Sequence, residues 1–199
     1  MWKLGLTGSI ASGKSTALKV FAELGVPVFS SDEAVHELYR GEAVAPVEAL
    51  FPGVISNSEI DRTELAKRVL GQPDRLKALE SLVHPLVRAR IAKFLADAQS
   101  TGTALAVVDI PLLFEGGHDY GLDRVAVTIA DDETIRKRAL ARPGMSVEKL
   151  EAILARQLPQ AEKRKRADYI LYTERGLAET RAAVTALVDA LRARPKGIA

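Results

Sequence analysis

The chain has 199 residues, 47% of them hydrophobic, a formal net charge of +2 and no cysteine. That length and apolar content suit one folded domain with a small insert and exclude a disordered chain. The near balance of charge excludes a global field for nucleic acid or membrane, and the lack of cysteine excludes disulfides, thiolate catalysis and cysteine-ligated zinc.

The N-terminal residues MWKLGLTG carry no signal-peptide pattern. No apolar run approaches the ~20 residues that a membrane-spanning helix needs. The expectation is a soluble cytoplasmic protein, a monomer or small homo-oligomer, with no membrane and no nucleic-acid partner.

In chain order, Leu4–Thr7 reads as a short buried strand. From Lys14 to Leu24 the residues Ala17, Leu18, Val20, Phe21 and Leu24 recur at helical spacing, and Gly25 stands where a helix ends. Val26–Phe29 is a second strand, and Ser30, Ser31 and Asp32 lead into a helix over Glu33–Arg40. Strand, helix and strand in that order imply a right-handed crossover and a parallel sheet. Residues 42–103 contain no convincing strand. There DRTELAKRVL, DRLKALESLV and PLVRARIAKFLADAQ read as helices, with Pro85 starting the last of them. Strand patterns return at Ala104–Asp109 and Val125–Ile129. A charged helical stretch runs from Glu133 to about Arg166, and Tyr169–Tyr172 is the last strand. Leu177–Arg194 closes the chain as an amphipathic helix with Leu177, Val184, Leu187, Val188 and Leu191 inward.

The expected fold class is α/β, a three-layer sandwich around a five-stranded parallel sheet. Its core would comprise residues 1–41, 104–130 and 167–199. A helical insert, 42–103, and a charged lid, 131–166, would project from the C-terminal edge, where open parallel sheets bind ligands.

GSIASGKS, Gly8 to Ser15, matches G-x-x-x-x-G-K-[ST] between the first strand and the first helix. Gly8 and Gly13 let the backbone turn tightly and approach a ligand. The amides along Ala11, Ser12 and Gly13 form an anion nest that opens on a helix N-terminus. Lys14 is placed to neutralise β- and γ-phosphate oxygens, Ser15 to ligate Mg²⁺ and Thr16 to contact the α-phosphate side. This is a P-loop NTPase arrangement, with ATP and Mg²⁺ as its expected ligands.

A phosphate loop names no reaction by itself. The Asn/Thr-Lys-x-Asp and Asp-x-x-Gly motifs of guanine-nucleotide switches are absent from the sequence. A small nucleoside-kinase-like sheet with a helical insert and an arginine-rich segment instead fits a small-molecule kinase, whose insert would hold the acceptor and whose lid would exclude water from the transferred phosphate.

Asp32 follows strand two, where a carboxylate can hold an acceptor hydroxyl and take its proton late in transfer, or can cap the helix that starts at Glu33. Arg138 and Arg142 stand four apart in RKRALAR, so one helix face would carry both, either for the γ-phosphate or as a solvated face. EKRKRAD, residues 162–168, reads as solvated surface. Asp109 ends a strand, as a Walker-B-type acid for Mg²⁺ or as a cap on the PLLFE turn. His84 precedes Pro85 and alone reads as a structural cap, and no histidine pair has metal-ligand spacing.

Several stretches together are similar to the dephospho-coenzyme A kinase family. They are LTGSIASGKST, SSDEAVHEL, DRTELAKRV, LVHPLV, VVDIPLLFE, RKRALAR and RQLPQAEKRKRADYIL, in family order from Leu4 to Tyr172. The resemblance implies ATP- and Mg²⁺-dependent phosphorylation of the ribose 3′-hydroxyl of dephospho-CoA. It places Asp32 at that hydroxyl, Arg62 and His84 in the acceptor domain, and Pro111, Leu112 and Glu115 at the acceptor pocket. Arg138 and Arg142 fall in the lid and Gln157 on its returning helix. Three departures stand out. Ser9 and Ala11 replace family glycines, Ser30-Ser31-Asp32 keeps only the second acid of the usual Asp-x-Asp, and YILYTERG lacks the usual asparagine. Another small-molecule kinase, or a nucleotide sensor without turnover, are the alternatives.

Overall fold

The computed structural model describes residues 1–194, so the last five residues of the expected core segment 167–199 lie outside the described residues. The chain divides into two compact units, Ser30–Phe94 and the remainder.

The larger unit is built on a five-stranded sheet. Its strands are β1 (Trp2–Gly8), β2 (Val28–Ser30), β5 (Leu105–Asp109), β6 (Arg124–Ile129) and β7 (Tyr169–Tyr172). Their spatial order is β2-β5-β1-β6-β7, and β1 runs parallel to β5 and β6, as β6 does to β7. Every residue of β5 is buried, as are residues 4–8 of β1, so both faces of the central strands are covered. On one face Leu4, Leu6, Leu105, Val107, Ala126 and Leu171 alternate inward. They pack against Ala17, Val20 and Phe21 of α1 (Lys14–Glu23) and Val184, Leu187, Val188 and Leu191 of α10 (Leu177–Ala193). Gly25, at φ 70°, ends α1 as its spacing predicts, with its amide donating to Ala22 O. Leu177 departs from expectation and is 59% exposed. It is the first residue of α10, and the buried stripe begins a turn later at Thr180.

The smaller unit contains α2 (Ser31–Leu38), α3 (Val44–Leu50), a hairpin of β3 (Ile55–Ser56) and β4 (Glu59–Ile60), α4 (Arg62–Val69) and most of α5 (Pro73–Ser100). The hairpin corrects the expectation of a strand-free insert. Asn57 and Ser58 form its turn, both at positive φ (51° and 66°), which is the backbone that joins two twisted strands in two residues. Its strands are two residues each, too short for an alternating pattern to register. The two helices expected on either side of Pro85 are one helix of 28 residues. Leu79, Val83, Val87, Ile91, Leu95 and Ala98 form a buried stripe that runs unbroken past the proline. That packing outweighs the single helical hydrogen bond that proline removes.

Among the described residues no helix is long and apolar enough to cross a membrane. The remaining helices, α6 (Leu113–Gly116), α7 (Asp132–Leu140), α8 (Val147–Leu154) and α9 (Gln160–Arg166), belong to the larger unit.

Candidate active site

Four neighbouring strands bring their C-terminal ends to one edge of the sheet. Gly8 ends β1, Asp109 ends β5, Thr128 is the penultimate residue of β6 and Thr173 follows β7. The phosphate loop leaves β1 at this edge and enters α1 at Lys14.

Polar groups that avoid water hold the loop from beneath. The Ser12 and Thr128 hydroxyls are 2.7 Å apart, and Thr173 Oγ1 donates to Ser12 O at 2.8 Å. Ser12, Thr128 and Thr173 are at most 3% exposed. Gly8 is required here, because a β-carbon would collide with the Thr128 and Ser12 hydroxyls. Gly13 is required twice over. Its φ is 83°, and a β-carbon would lie 2.9 Å from the Thr173 side chain. Ala11 also adopts positive φ, 58°. Its methyl is buried with Ala139 and Leu150, and Ile10, Met145 and Leu154 pack on the same cluster.

At the mouth of the loop Lys14 Nζ contacts Asp109 Oδ1, an acid only 3% exposed. Ser15 and Thr16, on the first turn of α1, are exposed. Among the described residues no group of three or more His, Asp or Glu side chains is arranged to hold a metal by itself. The donors present, a hydroxyl and one carboxylate, fit Mg²⁺ as part of a metal–nucleotide complex, which completes its octahedron with phosphate oxygens and water.

Helix α7 is tied to the same loop. Arg138 Nη2 donates to Thr173 O at 2.7 Å and Nη1 to Thr173 Oγ1 at 3.2 Å, so this guanidinium leans on the residue that supports Ser12. Arg142 does not share a helix face with it. Helix α7 ends at Leu140, and Arg142 lies in an exposed turn before Pro143 and Gly144, residues that stop a helix. Gln157 lies between α8 and α9 and not on a helix as expected, and its Oε1 accepts the Ile10 amide at 3.0 Å.

Two charged stretches differ from expectation. The run 162–168 is not wholly solvated: Arg164, Lys165 and Arg166 are exposed, but the Lys163 side chain is completely buried. Its ammonium lies 2.9 Å from Glu115 Oε1, which also accepts the Leu158 amide at 2.8 Å. Burial opposes ionisation of Glu115, but the Lys163 ammonium and the Leu158 amide outweigh it and hold its carboxyl below the usual value. Nor does Asp32 cap its helix. Ser30 is the N-cap of α2, its Oγ accepting the Glu33 amide at 3.2 Å, and Asp32 sits exposed in the first turn. A serine hydroxyl serves an N-cap as well as a carboxylate oxygen does.

In the smaller unit Arg62 opens α4 and is exposed. It lies near the buried Tyr39, whose phenol burial pushes up while the Arg62 charge pulls it down. His84 is exposed on α5 and lines a shallow cavity of about 340 Å³ with Lys77, Glu80, Ser81, Pro85 and Arg88. Because α5 is continuous, His84 caps nothing. Pro111 and Leu112 precede α6, half-buried and exposed respectively. Thr128, Thr173 and Lys163 escaped sequence reasoning. Each threonine is one hydroxyl at a strand end with no partner motif, and α9 has no apolar periodicity to show which basic residue turns inward.

A sheet of this order, with a phosphate loop at its C-terminal edge, defines a P-loop kinase of the α/β class. The sequence profile of dephospho-CoA kinase matches residues 2–179. A dephospho-CoA kinase of Mesorhizobium japonicum is 55% identical over 189 residues, covering 95% of this chain and 96% of that protein. Among solved structures, a Thermus thermophilus protein superposes with a TM-score of 0.82 at 35% identity, and the dephospho-CoA kinase of Campylobacter jejuni with 0.69 at 27%. Each covers 95% of this chain and 96% of its own. The chain belongs to the dephospho-CoA kinase family, enzymes that transfer phosphate to dephospho-CoA, with ATP as co-substrate.

Proposed function

We propose that the protein transfers the γ-phosphoryl group of ATP to the ribose 3′-hydroxyl of dephospho-CoA, with Mg²⁺, in the cytoplasm. The observation that carries this reading is the rigid phosphate loop with Lys14 and Asp109 at its mouth, in a chain of this family. The loop amides bind the β-phosphate side of ATP, and Lys14 balances the charge that spreads over the transferred group. The contact with Asp109 holds the Lys14 ammonium at the loop mouth, where its charge serves the transferred group. When bound with ATP, Mg²⁺ would sit by Ser15 and Asp109 and supply charge neutralisation.

Asp32 accepts a hydrogen bond from the acceptor hydroxyl and takes its proton late. A carboxylate is too weak a base to remove that proton in advance, so its main contribution is orientation. Arg62 and His84, both exposed, contact the acceptor, and Pro111 and Leu112 border it. Arg138 and Arg142 stabilise the phosphates from the lid. Screening acceptors with radiolabelled ATP tests the reading. Label transferred to dephospho-CoA is expected, and label transferred to a nucleoside monophosphate but not to dephospho-CoA rejects it.

A further inference from the structure

Lys163 is a buried cation with no part in the chemistry above. We propose that the Lys163–Glu115 pair is a positioning device for the phosphate loop. It seats the segment 157–158 so that Gln157 holds the Ile10 amide.

The chain of contacts is short. Lys163, on α9, meets Glu115 Oε1, at the end of α6, at 2.9 Å. The same oxygen takes the Leu158 amide at 2.8 Å, which fixes the backbone at that residue. The preceding side chain, Gln157, then accepts the Ile10 amide at 3.0 Å. Ile10 lies within the G-x-x-x-x-G-K-S loop itself. Its side chain packs with Met145 and Leu154 on the cluster of Ala11, Ala139 and Leu150, so the loop tip is held by apolar contact as well as by the Gln157 carbonyl. Without the pair, Leu158 loses its acceptor and Gln157 loses its footing.

A buried lysine with a single carboxylate is a demanding arrangement. The Lys163 side chain is 0% exposed and Glu115 13%; Glu115 Oε2 and Lys163 Nζ are both buried without a well-aligned hydrogen bond among the described residues, so the two meet as an ion pair at 2.9 Å. Burying a pair this way does not by itself favour folding over an apolar pair of the same size. The pair does what an apolar pair cannot: it presents a carboxylate oxygen to the backbone N–H of Leu158, which lies between α8 and α9 and outside either helix's own hydrogen-bond ladder.

The inference rests on the kinase reading only for its consequence, ATP binding, and its test uses the full chain without acceptor. Hydrogen–deuterium exchange of the peptide spanning residues 8–13 is compared for wild type, Lys163→Arg, Lys163→Met and the double variant Glu115→Leu/Lys163→Met, together with ATP affinity by calorimetry and thermal melts. The arginine variant keeps wild-type exchange and affinity. Lys163→Met exchanges the Ile10 amide faster and binds ATP about tenfold more weakly, the equivalent of one lost hydrogen bond. The double variant removes the stranded carboxylate and recovers thermal stability, yet keeps the fast exchange and weak binding, because Leu158 now has no acceptor at all, where Lys163→Met had left it a displaced one. A merely structural pair would instead return exchange and affinity to wild type along with stability, and that result overturns the proposal. If Lys163→Met does not fold, the double variant decides alone. Failure of wild type to phosphorylate dephospho-CoA would sink the kinase reading and leave the exchange result standing.

Discussion

Around the nucleotide loop, the polar groups that do the holding are hidden. Ser12, Thr128, Thr173 and Lys163 are at most 3% exposed, and each meets a partner inside the larger unit. In the unit formed by residues 30–94, the candidate functional residues Asp32, Arg62 and His84 all stand in solvent. The charges that brace its helices are surface pairs, Arg90 with Glu37 and Glu42, and Arg40 with Glu59. On the proposed function, the contrast follows from the ligands. A triphosphate is the same in every ATP-dependent kinase, so its cradle is worth building rigidly from backbone and short hydroxyls. An acceptor is recognised by side chains that reach out, and exposed pairs there contribute little to stability.

This contrast predicts that damage spreads differently in the two units. The largest stability effect belongs to the hidden side: Lys163→Met strands a carboxylate and lowers unfolding free energy by about 3 kcal/mol, the low end for a broken buried pair, read by denaturant titration. The effect is pH-dependent. The folded-state carboxyl of Glu115 titrates below its unfolded value, so its contribution is fully present above the ordinary carboxylate range and is lost as pH falls through the depressed value. Wild type and Glu115→Gln should therefore converge in melting temperature toward pH 3, and a gap that stays constant with pH would contradict this. Next, Lys14→Ala lowers turnover at least ~100-fold in steady-state assays, since it removes transition-state charge compensation at the mouth of the loop. Thr173→Val removes the hydroxyl under Ser12 and strands its carbonyl, at a cost of about 1–2 kcal/mol together with a raised KM for ATP, and Thr173→Ser restores both. The smallest effect is on the solvent-facing side. Ser30→Ala removes the cap of α2 for about 1 kcal/mol, and Ser30→Asp recovers it; equal losses for the two variants would show that the cap contributes nothing.

Much of the larger unit was legible in the sequence because its signals are dense. Apolar runs mark buried parallel strands, and a glycine-lysine loop between strand and helix has few physical readings. The five strands and the loop lie where the patterns put them, although β2 is displaced to Val28–Ser30 and α2 begins at Ser31. The misses have particular causes. Pro85 reads as a helix start because a local rule takes no account of the buried stripe on either side of it. Arg142 reads as helical because spacing in sequence does not reveal that Pro143 and Gly144 end the helix first. Lys163 is indistinguishable by composition from Arg164, Lys165 and Arg166, and only its tertiary partner, 48 positions away at Glu115, separates it from them. The acceptor residues became readable only through the family motifs, since a lone exposed aspartate, arginine or histidine carries no periodicity.

The central claim is a division of labour: the loop grips ATP, and the carboxylate at position 32 orients the alcohol. Steady-state kinetics of Asp32→Asn with dephospho-CoA, run beside ATP binding by calorimetry, tests it most directly. The expected result is kcat reduced by about 100-fold or more with ATP affinity unchanged. A variant that turns over dephospho-CoA at the wild-type rate would contradict the account.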